Sequence, residues 1–216
     1  MAYRFNEGER CGNMAELDDS PIAGRGSGEL LSWLGGDNLL MRSIGLATAN
    51  ALIHPPDGEL IYGDIRSLLN FEPGMRTVMV GYFEPLVAEI SKRCHLEIYE
   101  IDTSLAPGLK DSSEAPQALG RCDIALITST AIVNGTIDQL LQAATGCREV
   151  AILGPSTPLL TEVFAGTSVT LLSGVEVTNP EILRVVSEGG GMQQFKPYVR
   201  KVNCRPKILE KSVINV

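Results

Sequence analysis

The sequence predicts an α/β fold built on a doubly wound, mainly parallel sheet. Three observations carry that prediction. Short apolar, β-rich runs recur at 77–80, 96–101, 123–128, 149–153 and 168–172. Stretches with helical spacing fall between most of them, and strands that alternate with helices pair in parallel through right-handed crossovers. The runs are also continuously apolar rather than alternating, as in strands covered on both faces.

Taken in order, residues 1–36 are rich in glycine and charge and show no period beyond one short helix over 27–34. Asp37 or Asn38 is placed to cap a better helix over 39–53, whose Leu40, Ile44, Ala47 and Ala51 share its buried face. His54-Pro55-Pro56 stops it. Residues 64–70 read as another short helix, and Glu72-Pro73-Gly74 as a turn and domain boundary. The chain thus divides into a small helical or α+β appendage, 1–73, and a main domain, 74–216.

The main domain opens on TVMVGYFEPL, residues 77–86. This reads as strand, tight turn at Gly81, then helix. Phe83, Leu86, Val87 and Ile90 recur at helical spacing, and Pro85 is tolerated because it falls in the first turn. The second strand, 96–101, leads through a polar loop, 102–114, to a short helix over 115–119. After the third strand, 123–128, Thr136-Ile137-Asp138-Gln139 has the capping-box pattern for a helix over 137–144. The fourth strand, 149–153, is followed by Thr157-Pro158, which reads as cap and first-turn proline of a helix ending near Phe164. The fifth strand is 168–172. Asn179-Pro180-Glu181 opens a last helix, closed by Gly189-Gly190-Gly191. Residues 74–191 thus read as a Rossmann-like domain.

Composition narrows the class. A chain of 216 residues with 44% hydrophobic residues buries a substantial core. A net charge of −8 disfavours nucleic acid and anionic membranes as partners. No apolar run approaches the roughly 20 residues of a membrane helix. The opening MAYRFNEGERCG lacks the apolar centre of a signal peptide, so a cytoplasmic protein is expected. Cys11, Cys94, Cys122, Cys147 and Cys204 are odd in number and scattered without C-x-x-C. They read as reduced thiols rather than a disulfide framework or a structural zinc site. His54 and His95 form no metal pair; His95 directly follows Cys94, and adjacent side chains point apart.

Candidate site residues follow strand ends, where parallel sheets bind ligands. Gly81 and Tyr82 follow the first strand. A single glycine is not the G-x-G-x-x-G of dinucleotide binding, and it also serves simply to end a strand. Glu100 and Asp102 lie about 20 residues on, where such domains place a ribose-binding acid; acids also end strands because they face solvent. After the third strand, Ser129, Thr130 and Asn134 gather hydroxyls and an amide ahead of a helix start, suited to an anion or merely to capping. After the fourth, Gly154, Ser156 and Thr157 sit in a loop stiffened by Pro155 and Pro158. The topology predicts that these loops converge on one crevice at a strand-order reversal between 77–80 and 123–128. No P-loop, G-x-S-x-G elbow or H-E-x-x-H is present.

GYFEPL, the E-x-D after the second strand, ITSTAIVNGT, ILGPSTPL, LLSGVEVTNPE and EGGG occur in an order that resembles the DUF364 family, whose label refers to heavy-metal chelation. RSIGLATANALI, residues 42–53, resembles the end of the companion DUF4213 module, here without its opening strands. The resemblance covers about 42–196. It implies a Rossmann-like domain behind an enolase-N-terminal-like module, a homodimer, and a role in handling metals or metal-containing cofactors in anaerobic metabolism. The expected function is therefore binding of a small ligand or metal, with a transition-metal ion or metal-containing cofactor as the implied group. Two other readings stand beside it: an enzyme using a nucleotide or S-adenosylmethionine in the same crevice, and a non-catalytic structural subunit.

Overall fold

The computed structural model of the protein describes residues 21–55 and 58–206. Expectations that rest on 1–20, including Cys11, on Pro56 and on 207–216 lie outside the described residues. Eight strands form one sheet: β1 Ile61–Tyr62, β2 Arg76–Val80, β3 His95–Glu100, β4 Lys110–Asp111, β5 Ile124–Thr128, β6 Glu149–Leu153, β7 Leu171–Val177 and β8 Val199–Cys204. Their order is β1-β8-β7-β6-β5-β2-β3-β4. The run from β4 to β7 is parallel throughout. β8 joins β7 antiparallel, and β1 joins β8 antiparallel. The parallel part has the strand order of dinucleotide-binding α/β domains, with its reversal between β2 and β5.

The continuous apolar runs are explained by cover on both faces. Val78, Val80, Ala125, Ile127, Val150 and Ile152 face one core, closed by helices α4 (Ala115–Leu119) and α6 (Ile137–Ala143). Met79, Ile124, Leu126, Ala151 and Leu153 face the other, closed by α3 (Glu84–Arg93) and by Ile65, Leu69 and Phe71. The period of two along each strand sorts its side chains between the two cores. Residues 58–73, set ahead of the boundary by the sequence reading, thus supply a strand and three buried side chains to the main sheet.

Helix α2 (Leu39–Leu52) starts where Asn38 accepts a hydrogen bond from Met41 N–H at 3.0 Å. Its buried residues are Ser43, Gly45 and Leu46, not the expected Leu40, Ile44, Ala47 and Ala51. The reason is that helix α1 (Ser27–Ser32) and the 3-10 turn after it pack on the Gly45 side, so closely that a Cβ at Gly45 would lie 2.7 Å from Leu34 N.

Several expectations are corrected. The fifth strand is Leu171–Val177, not 168–172: Ser168 Oγ is drawn away to Leu141 O, and pairing with β6 starts at Leu171. No helix begins at Thr157. Residues 157–160 are irregular, and only a 3-10 turn, Thr161–Phe164, follows. Leu159 packs on the first core, which draws the chain across the sheet end instead of coiling it. Residues 130–134, read as loop, form helix α5 (Thr130–Asn134). The capping box at Thr136 does not form, because the Thr136 hydroxyl donates to Asn134 Oδ1 at 2.8 Å. Residues 64–70 hold only a 3-10 turn. Strands β1, β4 and β8 had no counterpart in the sequence reading.

Candidate functional site at the carboxyl edge of the sheet

β2, β5 and β6 end side by side, so the loops after them are neighbours. Gly81, at φ +96°, leaves β2 so close to β5 that a Cβ there would lie 2.8 Å from Thr128 Cβ. Gly154, at φ +130°, comes equally near the next loop: its Cβ would lie 2.7 Å from Ser129 Oγ. Ser129 N–H donates to Leu153 O at 2.9 Å, and Gly154 N–H to Ser173 O at 3.1 Å. The structure therefore brings Gly81, Tyr82, Ser129, Thr130, Gly154, Ser156 and Thr157 to one stretch of edge, two strand spacings of about 4.8 Å wide.

The polar groups there differ in how they are engaged. Glu100 lies against the Gly81–Tyr82 turn, with Oε2 accepting from Tyr82 N–H and Oε1 from Ile101 N–H, both at 2.8 Å. It fastens the turn. Asp102 is exposed; its Oδ1 accepts from the hydroxyl and the N–H of Ser104, which holds its carboxyl below the usual range. Thr130 Oγ1 pairs with Thr128 Oγ1 at 3.0 Å. Asn134 sits at the far end of α5, bound to Thr136, away from the strand end that begins the helix. Ser129 and Thr157 are different. They are 1% and 4% exposed, and Ser129 Oγ and Thr157 Oγ1 have no hydrogen-bond partner among the described residues.

Helix α2 brings residues that the sequence reading missed. Arg42 Nη2 donates to Ile132 O at 3.0 Å, and Asn50 Nδ2 donates to Ser156 O at 2.9 Å. The helix thus lies over α5 and the loop that follows β6. Arg42, Leu46 and Asn50 follow at four-residue steps, a single row on the helix with the buried Leu46 at its centre. That row was the signal available in the sequence.

Among the described residues, no three His, Cys, Asp or Glu side chains converge where a metal ion could be held. His54 bonds its own chain at Leu52 O, and His95 lies beside Glu97. A cavity of about 500 Å³ lies elsewhere, lined by Arg184, Glu188, Gln194 and Tyr198 among others.

The fold is that of a doubly wound α/β protein whose strand order reverses between β2 and β5. The chain belongs to the DUF364 family, described as "Putative heavy-metal chelation", which matches residues 64–205. It is 25% identical over 145 residues to an uncharacterized protein of Methanocaldococcus jannaschii, covering 65% of this chain and 56% of that relative. The chain therefore spans little more than half the length of that relative. It is similar in fold to a DUF364 protein of unknown function from Pyrococcus horikoshii, with a TM-score of 0.77 at 23% identity over 87% of this chain and 78% of the other. A second such protein, from Desulfitobacterium hafniense, gives 0.72 at 24% identity over 83% and 73%.

Proposed function

We propose that the chain binds a small polar ligand at the carboxyl edge of the sheet, between the Gly81–Tyr82 turn, Ser129 and the Gly154–Thr157 loop. The observation that carries this reading is the pair of buried hydroxyls, Ser129 and Thr157, without partners. A buried polar group left unsatisfied costs about 1–3 kcal/mol, and a ligand that bonds to both recovers that cost. The family description supports a metal as part of what is bound. The described residues do not fit a cage for a bare ion, since the carboxylate of Glu100 is taken up by backbone N–H groups. The metal is therefore read as carried within a ligand, as in a metal-containing cofactor. Helix α2 is read as part of a DUF4213-like module, serving as a cover over the site.

The test is elemental analysis and mass spectrometry of whatever co-purifies from an anaerobic preparation. A stoichiometric metal-bearing small molecule, lost from Ser129→Ala and Thr157→Val, supports the reading. A thermal shift with adenosine ligands and none with metal-bearing ones would transfer the crevice to nucleotide or S-adenosylmethionine chemistry. No response to either would leave a structural subunit.

A further inference from the structure

Cys122 and Cys147 stand at the opposite, amino edge of the sheet, each two residues ahead of a strand. β5 begins at Ile124 and β6 at Glu149, and these two residues are partners in the parallel register. Counting back two residues on both strands sets Cys122 opposite Cys147. The pairing persists into this stretch, since Arg148 N–H donates to Asp123 O at 2.8 Å. Neighbouring strands run about 4.8 Å apart, inside the roughly 4.4–6.8 Å Cα separation that a disulfide bridges. In-register residues of parallel strands also point to the same face, so both sulfurs lie on one side.

They meet there as free thiols, Sγ to Sγ 2.9 Å, with the Cys147 thiol donating to Leu119 O at 3.4 Å. Cys122 is buried among the residues of the first core, whereas Cys147 is half-buried and open to a small solute. The hydrogen bond from Cys122 pulls the Cys147 thiol below its usual range. The same bond, together with burial, pushes Cys122 up. Of the two thiols Cys147 gives up its proton the more readily, and the more accessible sulfur is the nucleophilic one.

We propose that Cys122 and Cys147 form a redox-active dithiol that closes to an intramolecular disulfide when a hydroperoxide reaches Cys147. The Cys147 thiolate attacks the terminal peroxide oxygen. The O–O bond breaks, the alkoxide takes a proton and leaves as an alcohol, and Cys147 becomes a sulfenic acid. Cys122 then loses its proton and attacks that sulfur. The S–O bond breaks, and the hydroxide leaves with the proton as water. Two thiols are oxidised, and one hydroperoxide is reduced to alcohol and water.

The experiment treats the full chain with tert-butyl hydroperoxide, then alkylates it in denaturant and maps its peptides. The expected result is a Cys122–Cys147 linked peptide in most molecules, an intact mass lower by two hydrogens, and reversal by dithiothreitol, while Cys94 and Cys204 remain alkylatable. Cys147→Ser abolishes the link and leaves Cys122 unmodified. Cys122→Ser abolishes the link and leaves Cys147 carrying added oxygen, which a merely structural partner would not produce. The proposal is overturned if both thiols of the unsubstituted chain stay alkylatable after treatment. It is also overturned if Cys122 oxidises as fast in Cys147→Ser as Cys147 does in the unsubstituted chain.

Discussion

Single residues set the character of the carboxyl edge of the sheet. Ser129 and Thr157 bury hydroxyls that nothing among the described residues satisfies. Ser129→Ala and Thr157→Val should therefore stabilise the ligand-free protein, each by about 1 kcal/mol, which for a chain of this size is about 2–4 °C in Tm. The same variants should weaken binding of the co-purifying ligand at least tenfold, as two titrations and two melting curves would show. A loss of stability in both would mean that the hydroxyls already have partners. Gly81 is set by geometry of another kind, a positive φ and contact with Thr128. Gly81→Ala should cost about 1–3 kcal/mol, read as a lower urea midpoint. At this scale the sequence named most of the residues that gather at the strand ends, because strand ends are readable and their order is constrained. It did not show which of them were already engaged. The hold of Glu100 on two N–H groups depends on the path of the Gly81–Tyr82 turn, and the pairing of Cys122 with Cys147 depends on a register that no local pattern encodes.

Elements are held by local devices that also limit what pattern reading can find. β3 carries Glu97, which accepts from Tyr99 OH at 2.6 Å and from Lys110 Nζ of β4 at 2.9 Å. Those bonds lower its pKa from an ordinary 4.5 to about 2. A lowered carboxyl pKa means that the folded state favours the charged form. Its stabilisation is complete above pH 4.5 and is lost as the pH falls from there through about 2. Glu97→Gln should accordingly lower stability at pH 7 by about 1–3 kcal/mol, and urea titrations of the two proteins should converge toward pH 2. A difference that stayed constant with pH would assign the loss to packing instead. Strands β2 and β6 were legible because both faces are buried and the apolar run ends at a glycine. β7 was read three residues early. Its Ser173-Gly174 interrupts the apolar pattern, since Gly174 gives room to Leu159 and the Thr157 carbonyl. The two-residue strands β1 and β4 have no periodicity to detect.

At the scale of the whole molecule, alternation of strands and helices was enough to place the reversal between β2 and β5, since crossovers of one hand leave few alternatives. It was not enough to foresee the antiparallel end of the sheet. The family resemblance implies a homodimer; α2 does not supply the surface for it, because α1, α5 and the loop after β6 pack on that helix within the chain. What now supports a dimer is helix α7 (Ile182–Ser187), where Leu183 is 73% and Val186 45% exposed. Sedimentation at micromolar concentration should show a dimer that Leu183→Glu dissociates, and a monomer would remove the expectation. The antiparallel end also bears on how the chain is made. Asn203 of β8 bonds Ile61 O of β1 across 142 residues of sequence. A ribosome adding roughly 5–20 residues per second leaves β1 without its partner for on the order of ten seconds. For part of that time β7 also waits, an unpaired sheet edge of the kind that recruits foreign strands. Nascent chains halted before residue 199 should therefore clump or be held by chaperones, while release of β8 pairs it with β7 and β1 at once.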